Sequence, residues 1–172
     1  CCYALKDVEL GEYCTTIDRR CFSDCKALEN IIIPENVTEI CDAAFQNCSS
    51  LKTINIPESV ESLGDHALYG RSSLRTLSIP VSISEVEDCL ASNCVSLTRV
   101  NLHNGITSIG DGAFGNCSSL TTINIPSSCK NIGEQAFFNC ARLGNIILPS
   151  GITVIKAGAF YQCSSIEHIT IP

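Results

Sequence analysis

His66 and Cys89 lie 23 residues apart, and Asp42, Asp65, Asp88, Asp111 and Glu134 follow one another at the same interval. A thiol beside an imidazole is the start of a nucleophile with its base, provided oxyanion donors and a pocket accompany it. A row of carboxylates supplies the hard oxygens calcium takes, provided several converge on one point. Thirteen cysteines and three histidines would suit zinc at ligand spacing, but no CxxC occurs and His66, His103 and His168 occupy three different phases of the interval. No metal-thiolate site is expected.

The interval belongs to the whole chain. "AFQNCSSLKTINIP" (Ala44 to Pro57) returns 69 positions later as "AFGNCSSLTTINIP" (Ala113 to Pro126), which is three intervals. Leu5, Leu28, Leu51, Leu74, Leu97, Leu120, Leu143 and Ile166 keep one register without insertion or deletion, and the positions three and five residues on are aliphatic throughout. Such a period marks a solenoid, each turn burying its apolar side against its neighbours. A single solenoid is expected over 1–172, with about seven turns and partial terminal turns.

Within a turn, "LxxIxI" has the alternation of a short strand, with the third and fifth residues after the leucine inward and the second and fourth outward. These strands should stack into a parallel sheet. All six prolines stand one residue beyond it, where a missing N–H ends the strand. A second apolar pair, such as Val60 with Leu63 or Ile106 with Ile109, predicts a weaker strand. "AF" then brings Phe22, Phe45, Phe114, Phe137 and Phe160 into one column on a third side of short strands or helical turns. A core this thin is filled by its own side chains, so His66 and Cys89 have no pocket and neither catalysis nor a cofactor is expected.

"SLTTINIPSSCKNIGEQAFFNC" resembles the 23-residue repeat of the BspA-like leucine-rich-repeat proteins, and the resemblance covers the entire chain. It implies large microbial surface proteins, often host-associated, that act as adhesins or bind other proteins. The implied location is the cell surface or outside the cell, with a cytoplasmic scaffold as the alternative that free thiols would suit.

Ten of the thirteen cysteines sit where the repeat wants a small buried side chain: the column Cys2, Cys25, Cys48, Cys94, Cys117, Cys140 and Cys163, with Cys14, Cys21 and Cys129. Stacked turns hold parallel Cβ vectors about 4.8 Å apart, too far for ready disulfides, so mostly free buried thiols are expected. The acidic column reads most cheaply as capping of the turn before "AF", with a cation stripe as the sharper alternative. Arg71 replaces a column cysteine, Leu68 replaces a phenylalanine, and Leu90-Ala91 replaces "AF". Because a buried guanidinium needs a partner, Arg71 is expected to reach outward toward an acid near Glu87, with the Phe side loosened there.

Net charge is -7 with only eleven Lys and Arg, which argues against nucleic acid and anionic membranes as partners. No apolar run approaches the roughly 20 residues that span a bilayer, so no membrane insertion is expected. The lack of Met and the opening on Cys1-Cys2 are what a piece of a longer protein would show. For function, the outward strand positions remain. Asn30, Thr53, Asn55, Thr76, Ser78, Arg99, Asn101, Thr122, Asn124 and Asn145 form a polar face about 34 Å long, suited to a protein or surface glycan. A non-binding structural spacer is the competing reading. Asn36, Asn47 and Asn116 head N-x-[ST] sequons, a motif short enough to arise by chance.

Overall fold

The computed structural model describes residues 2–144 and 146–171 as a stack of 23-residue turns with three sides. The first side holds Asp7–Glu9, Asn30–Ile32, Thr76–Ser78, Arg99–Asn101, Thr122–Ile123, Ile146–Ile147 and Ile169–Thr170. Pairing is parallel at one repeat, as in Asp7 with Asn30, Thr76 with Arg99 and Arg99 with Thr122. The second side carries the predicted weaker strands, including Glu39–Ile40, Ser62–Leu63, Glu85–Val86 and Ser108–Ile109. Inward residues of both sides make one core with Leu28, Leu51, Leu74, Leu97 and Leu120, all fully buried.

The third side is built from tight turns, with no helix among the described residues. Two rows of left-handed residues explain this. Arg20, Ala43, His66, Cys89, Gly112, Gln135 and Gly158 form one row, and Asp24, Asn47, Gly70, Asn93, Asn116, Asn139 and Gln162 the other, all with φ between 52° and 70°. Two reversals per turn break a helix before it completes. The backbone then bonds from turn to turn: Ala43, Phe45 and Asn47 donate to Asp65, Ala67 and Tyr69, and the same three bonds recur along the array. The second row carries mostly Asn, Asp and Gly, which tolerate φ > 0, whereas Gln135 does not. Gln135→Gly is expected to stabilise by about 0.5 to 1 kcal/mol in chemical denaturation. Gly133→Ala should do the opposite, by about 1 to 3 kcal/mol, because its Cβ would collide with the Gly110 backbone.

The two sheets are not continuous. Residues Thr53 to Asn55 form no strand, and Ser62–Leu63 and Glu85–Val86 do not pair, so both sheets are interrupted at the turn from Leu51 to Ser73. Arg71 belongs to this turn, and it does not reach outward as the sequence led us to expect. Its exposure is 0%, Nη2 donates to the Leu51 carbonyl at 3.4 Å, and Nε and Nη1 have no partner. Its slot holds a thiol in the other turns, so the longest side chain of the column lies in the turn where the ladders are interrupted. An opening of about 200 Å³ between the unpaired strands exposes Glu61, Glu85 and Glu87. Burial, with Asp65, Glu85, Asp88 and Asp42 nearby, raises the Glu87 carboxyl above its ordinary value.

The Phe side, expected to loosen here, stays intact: Leu68 and Gly70 still donate to Leu90 and Ser92 at 2.9 and 2.8 Å. Those bonds are backbone to backbone and survive a change of side chain. Only the aromatic stack is split, into Phe22 on Phe45 (5.5 Å) and Phe114 on Phe137 on Phe160 (5.6 and 5.4 Å). Leu68, Leu90 and Ala91, all fully buried, fill the gap.

Candidate functional site

The cysteine column is structural. Cys48, Cys94, Cys117, Cys140 and Cys163 donate to the carbonyls of Phe22, Leu68, Ala91, Phe114 and Phe137 at 3.0 to 3.3 Å. Burial pushes the Cys48 and Cys94 thiols up to about 11 and Cys140 to about 12, so they remain protonated donors. The cysteines among the described residues are unpaired with one another. Three of the ten expected to be buried are not: Cys2 and Cys21 are exposed and Cys14 is half-buried. They lie in the first described turn.

Contrary to the expectation that they have no pocket, His66 and Cys89 border an open hollow of about 350 Å³ with Asp65, Asp88, Asp111 and Glu134, formed on the outer surface and not within the filled core. The Cys89 thiol is raised by burial and by Asp88, Asp65 and Asp111, the reverse of what a thiolate nucleophile requires. The His66 ring packs on Tyr69, 5.6 Å between centroids. The acids themselves form an inter-turn ladder: Asp42, Asp65, Asp88 and Asp111 each accept, through Oδ1, the amide of the acid one repeat on, at 2.6 to 3.2 Å. The capping thus runs across turns and not within one. Lys156 closes the row on Asp111 at 2.9 Å, and this bond, with the Glu134 amide, holds the Asp111 carboxyl below its ordinary value. Among the described residues no three potential ligands converge on a metal position. Asp88→Ala should cost about 1 kcal/mol through the orphaned Asp111 amide, and millimolar calcium should leave the wild-type melting temperature unshifted.

The strand face differs from both. Thr53, Asn55, Thr76, Ser78, Arg99, Asn101, Thr122 and Asn124 are all exposed, as is Asn30, whereas Asn145 lies outside the described residues. Asn30 bonds Asp7 at 3.0 Å and Asn101 bonds Ser78 at 2.9 Å, along the face. Arg99, Asn101, Thr122 and Asn124 converge around a hollow of about 170 Å³ floored by Val100 and Ile123. Ile32 and Ile147, absent from the polar face read in the sequence, occupy the same outward column at 75% and 84% exposure. Their outward phase was legible; their hydrophobicity had assigned them to no role. Among the described residues no helix is long and apolar enough to cross a membrane.

The BspA type leucine-rich repeat region matches residues 1–98 and 87–172, with six copies of the repeat. The chain belongs to this family. A leucine-rich repeat protein from Eubacterium ventriosum aligns over 97% of the chain and 44% of its own, at 30% identity and a TM-score of 0.85. One from Bacteroides ovatus shares the fold at 24% identity and TM-score 0.75, over 98% of the chain and 55% of its own. A leucine rich cell surface protein from Faecalibacterium prausnitzii matches at 23% identity and TM-score 0.54, over 96% of the chain and 59% of its own. The BspA-type chain thus spans about half the length of these structures. No curated protein matches it.

Proposed function

We propose that this BspA-type array is a protein-binding module displayed on a microbial cell surface, with the strand face as its contact surface. One observation carries the reading: several polar side chains of the strand face are exposed and bond nothing in the fold, whereas rows of serines, acids and asparagines on the other sides bond neighbouring turns. On the other sides the hydroxyls of Ser59, Ser82 and Ser128 bond the Val37, Val60 and Ile106 carbonyls, and the acids and Asn47 and Asn139 bond neighbouring turns. Thr53, Asn55, Thr76, Thr122 and Asn124 make no such side-chain bond among the described residues. Exposed amides and hydroxyls that hold nothing together are free to bond a partner.

The face lacks Tyr and Trp anchors, so a single array should bind weakly and gain strength by multivalency. Binding of the monomeric and the artificially clustered array to extracellular-matrix proteins and host cells tests this. Clustering is expected to raise apparent affinity by about 100-fold or more. Equal absence of binding by both forms would leave the array a spacer.

A further inference from the structure

Charge on this molecule is divided between its sides. The outward and edge positions of the strand face from Leu51 to Pro57, Leu74 to Pro80, Leu97 to Leu102 and Leu120 to Pro126 contain Lys52, Arg75 and Arg99 and no acid. All three cations are exposed. Glu58, just past the Pro57 corner, is committed to the Val81 amide at 2.8 Å. The second and third sides of the same turns carry Glu61, Asp65, Glu85, Glu87, Asp88, Asp111 and Glu134. In a chain of net charge -7, three exposed cations grouped on consecutive turns of one face, with no acid among them, stand out.

We propose that the middle of the strand face binds an acidic, extended segment of a partner protein, with Arg99 as the residue that takes a carboxylate. Arg99 is aligned with Thr76 on one side and Thr122 on the other. Arg99 lines the hollow with Thr122 and Asn124, so a charged fork, a hydroxyl and an amide donor are within one small site that a carboxylate can enter. Lys52 and Arg75 extend the positive potential over the two preceding turns. The flanks favour protein over glycan. Ile32 and Ile147 stand five turns apart in one column, about 24 Å, which an extended segment of about seven residues spans. Apolar anchors at both ends with carboxylates between them describe a peptide and not a polyuronate. The inference rests on the strand face being the contact surface.

The test uses the clustered array against three immobilised probes: a Glu- and Ser-rich peptide with a leucine at each end, the same peptide with Lys for Glu, and polygalacturonate. The acidic peptide is expected to bind in a salt-sensitive way, and the basic one not to bind. Arg99→Gln should weaken binding by about tenfold and Lys52→Gln/Arg75→Gln/Arg99→Gln should abolish it. Lys130→Gln, on the second side, should change nothing. Ile32→Ser/Ile147→Ser should weaken the acidic peptide while leaving melting unchanged. Preference for polygalacturonate over the acidic peptide would overturn the assignment of partner. If matrix binding survives the triple Gln variant but is lost when Asn55, Ser78, Asn101 and Asn124 are changed to Glu, the acidic-partner inference fails while the contact face stands. If it survives both, the contact face fails too.

Discussion

Arg71→Cys should raise the melting temperature by about 5 to 10 °C, an unusual gain for removing a fully buried side chain. The gain comes from what Arg71 lacks. Burial lowers its guanidinium to about 10, partly offset by Cys94 and Cys48, and two of its nitrogens have no acceptor. A tenfold change in an ionisation constant corresponds to about 1.4 kcal/mol, so holding the charge in the core costs on the order of 3 kcal/mol at neutral pH. Cysteine restores the thiol column, with the Phe45 carbonyl as its acceptor by the pattern of the other turns, and removes the oversized side chain from the turn where the ladders are interrupted. Arg71→Met keeps length and loses charge, so it should recover part of the gain. Hydrogen exchange at the Lys52 and Ser84 amides should slow in the cysteine variant as both ladders close. A lower melting temperature in both variants would mean that the guanidinium has a partner worth more than the thiol.

Alkali should unfold the array through its buried thiols. A thiol whose folded-state pKa is raised contributes stability that is complete below the unfolded value and disappears as pH climbs through the folded one. For Cys94 and Cys140 the window opens at 9.0 and closes at about 11 and about 12. Together they lose on the order of 7 kcal/mol across it, comparable to the whole stability of a domain. Cys117 adds to this in the same direction. Arg71 works the other way: its lowered value means that stability is recovered from about pH 10 upward as the folded state sheds the proton. Wild type should therefore lose stability from pH 9 upward, and Arg71→Cys should lose it more steeply, its advantage shrinking above pH 10. Denaturant midpoints across that range, with thiolate absorbance, measure both slopes. Cys94→Ala/Cys140→Ala starts lower at neutral pH and should lose markedly less through the window, with Cys48 and Cys117 leaving a residual slope. A wild-type profile no steeper than that of the double variant would mean that the thiol ladder does not stabilise the fold.

The register of the turns was legible because buried positions repeat in kind: Leu28, Leu51 and Leu74, then Ile31, Ile54 and Leu77. The outward strand face followed from the same alternation. Arg71 misled because a sequence shows that a slot is occupied by a charge, not whether that charge has a route out. The lattice of the third side was invisible for a different reason. Its bonds are made by the backbone, and one of its left-handed rows carries Arg20, Ala43, His66, Cys89 and Gln135, residue types with no common preference for φ > 0. The acidic column was visible, but its donors lie a full repeat away. The division of charge was also written in Lys52, Arg75 and Arg99, and became meaningful only once the strand face was known to carry them together.

That one side of this array does the binding is tested most directly by comparing two variants of the clustered array against the same matrix proteins and cells. In one, Asn55, Ser78, Asn101 and Asn124 become Glu; in the other, Glu61, Glu85, Ser108 and Asn131 on the second side become Lys. The first is expected to lose binding and the second to retain it, with both folded. Loss from the second alone, or binding unchanged in both, would contradict a contact surface on the strand face.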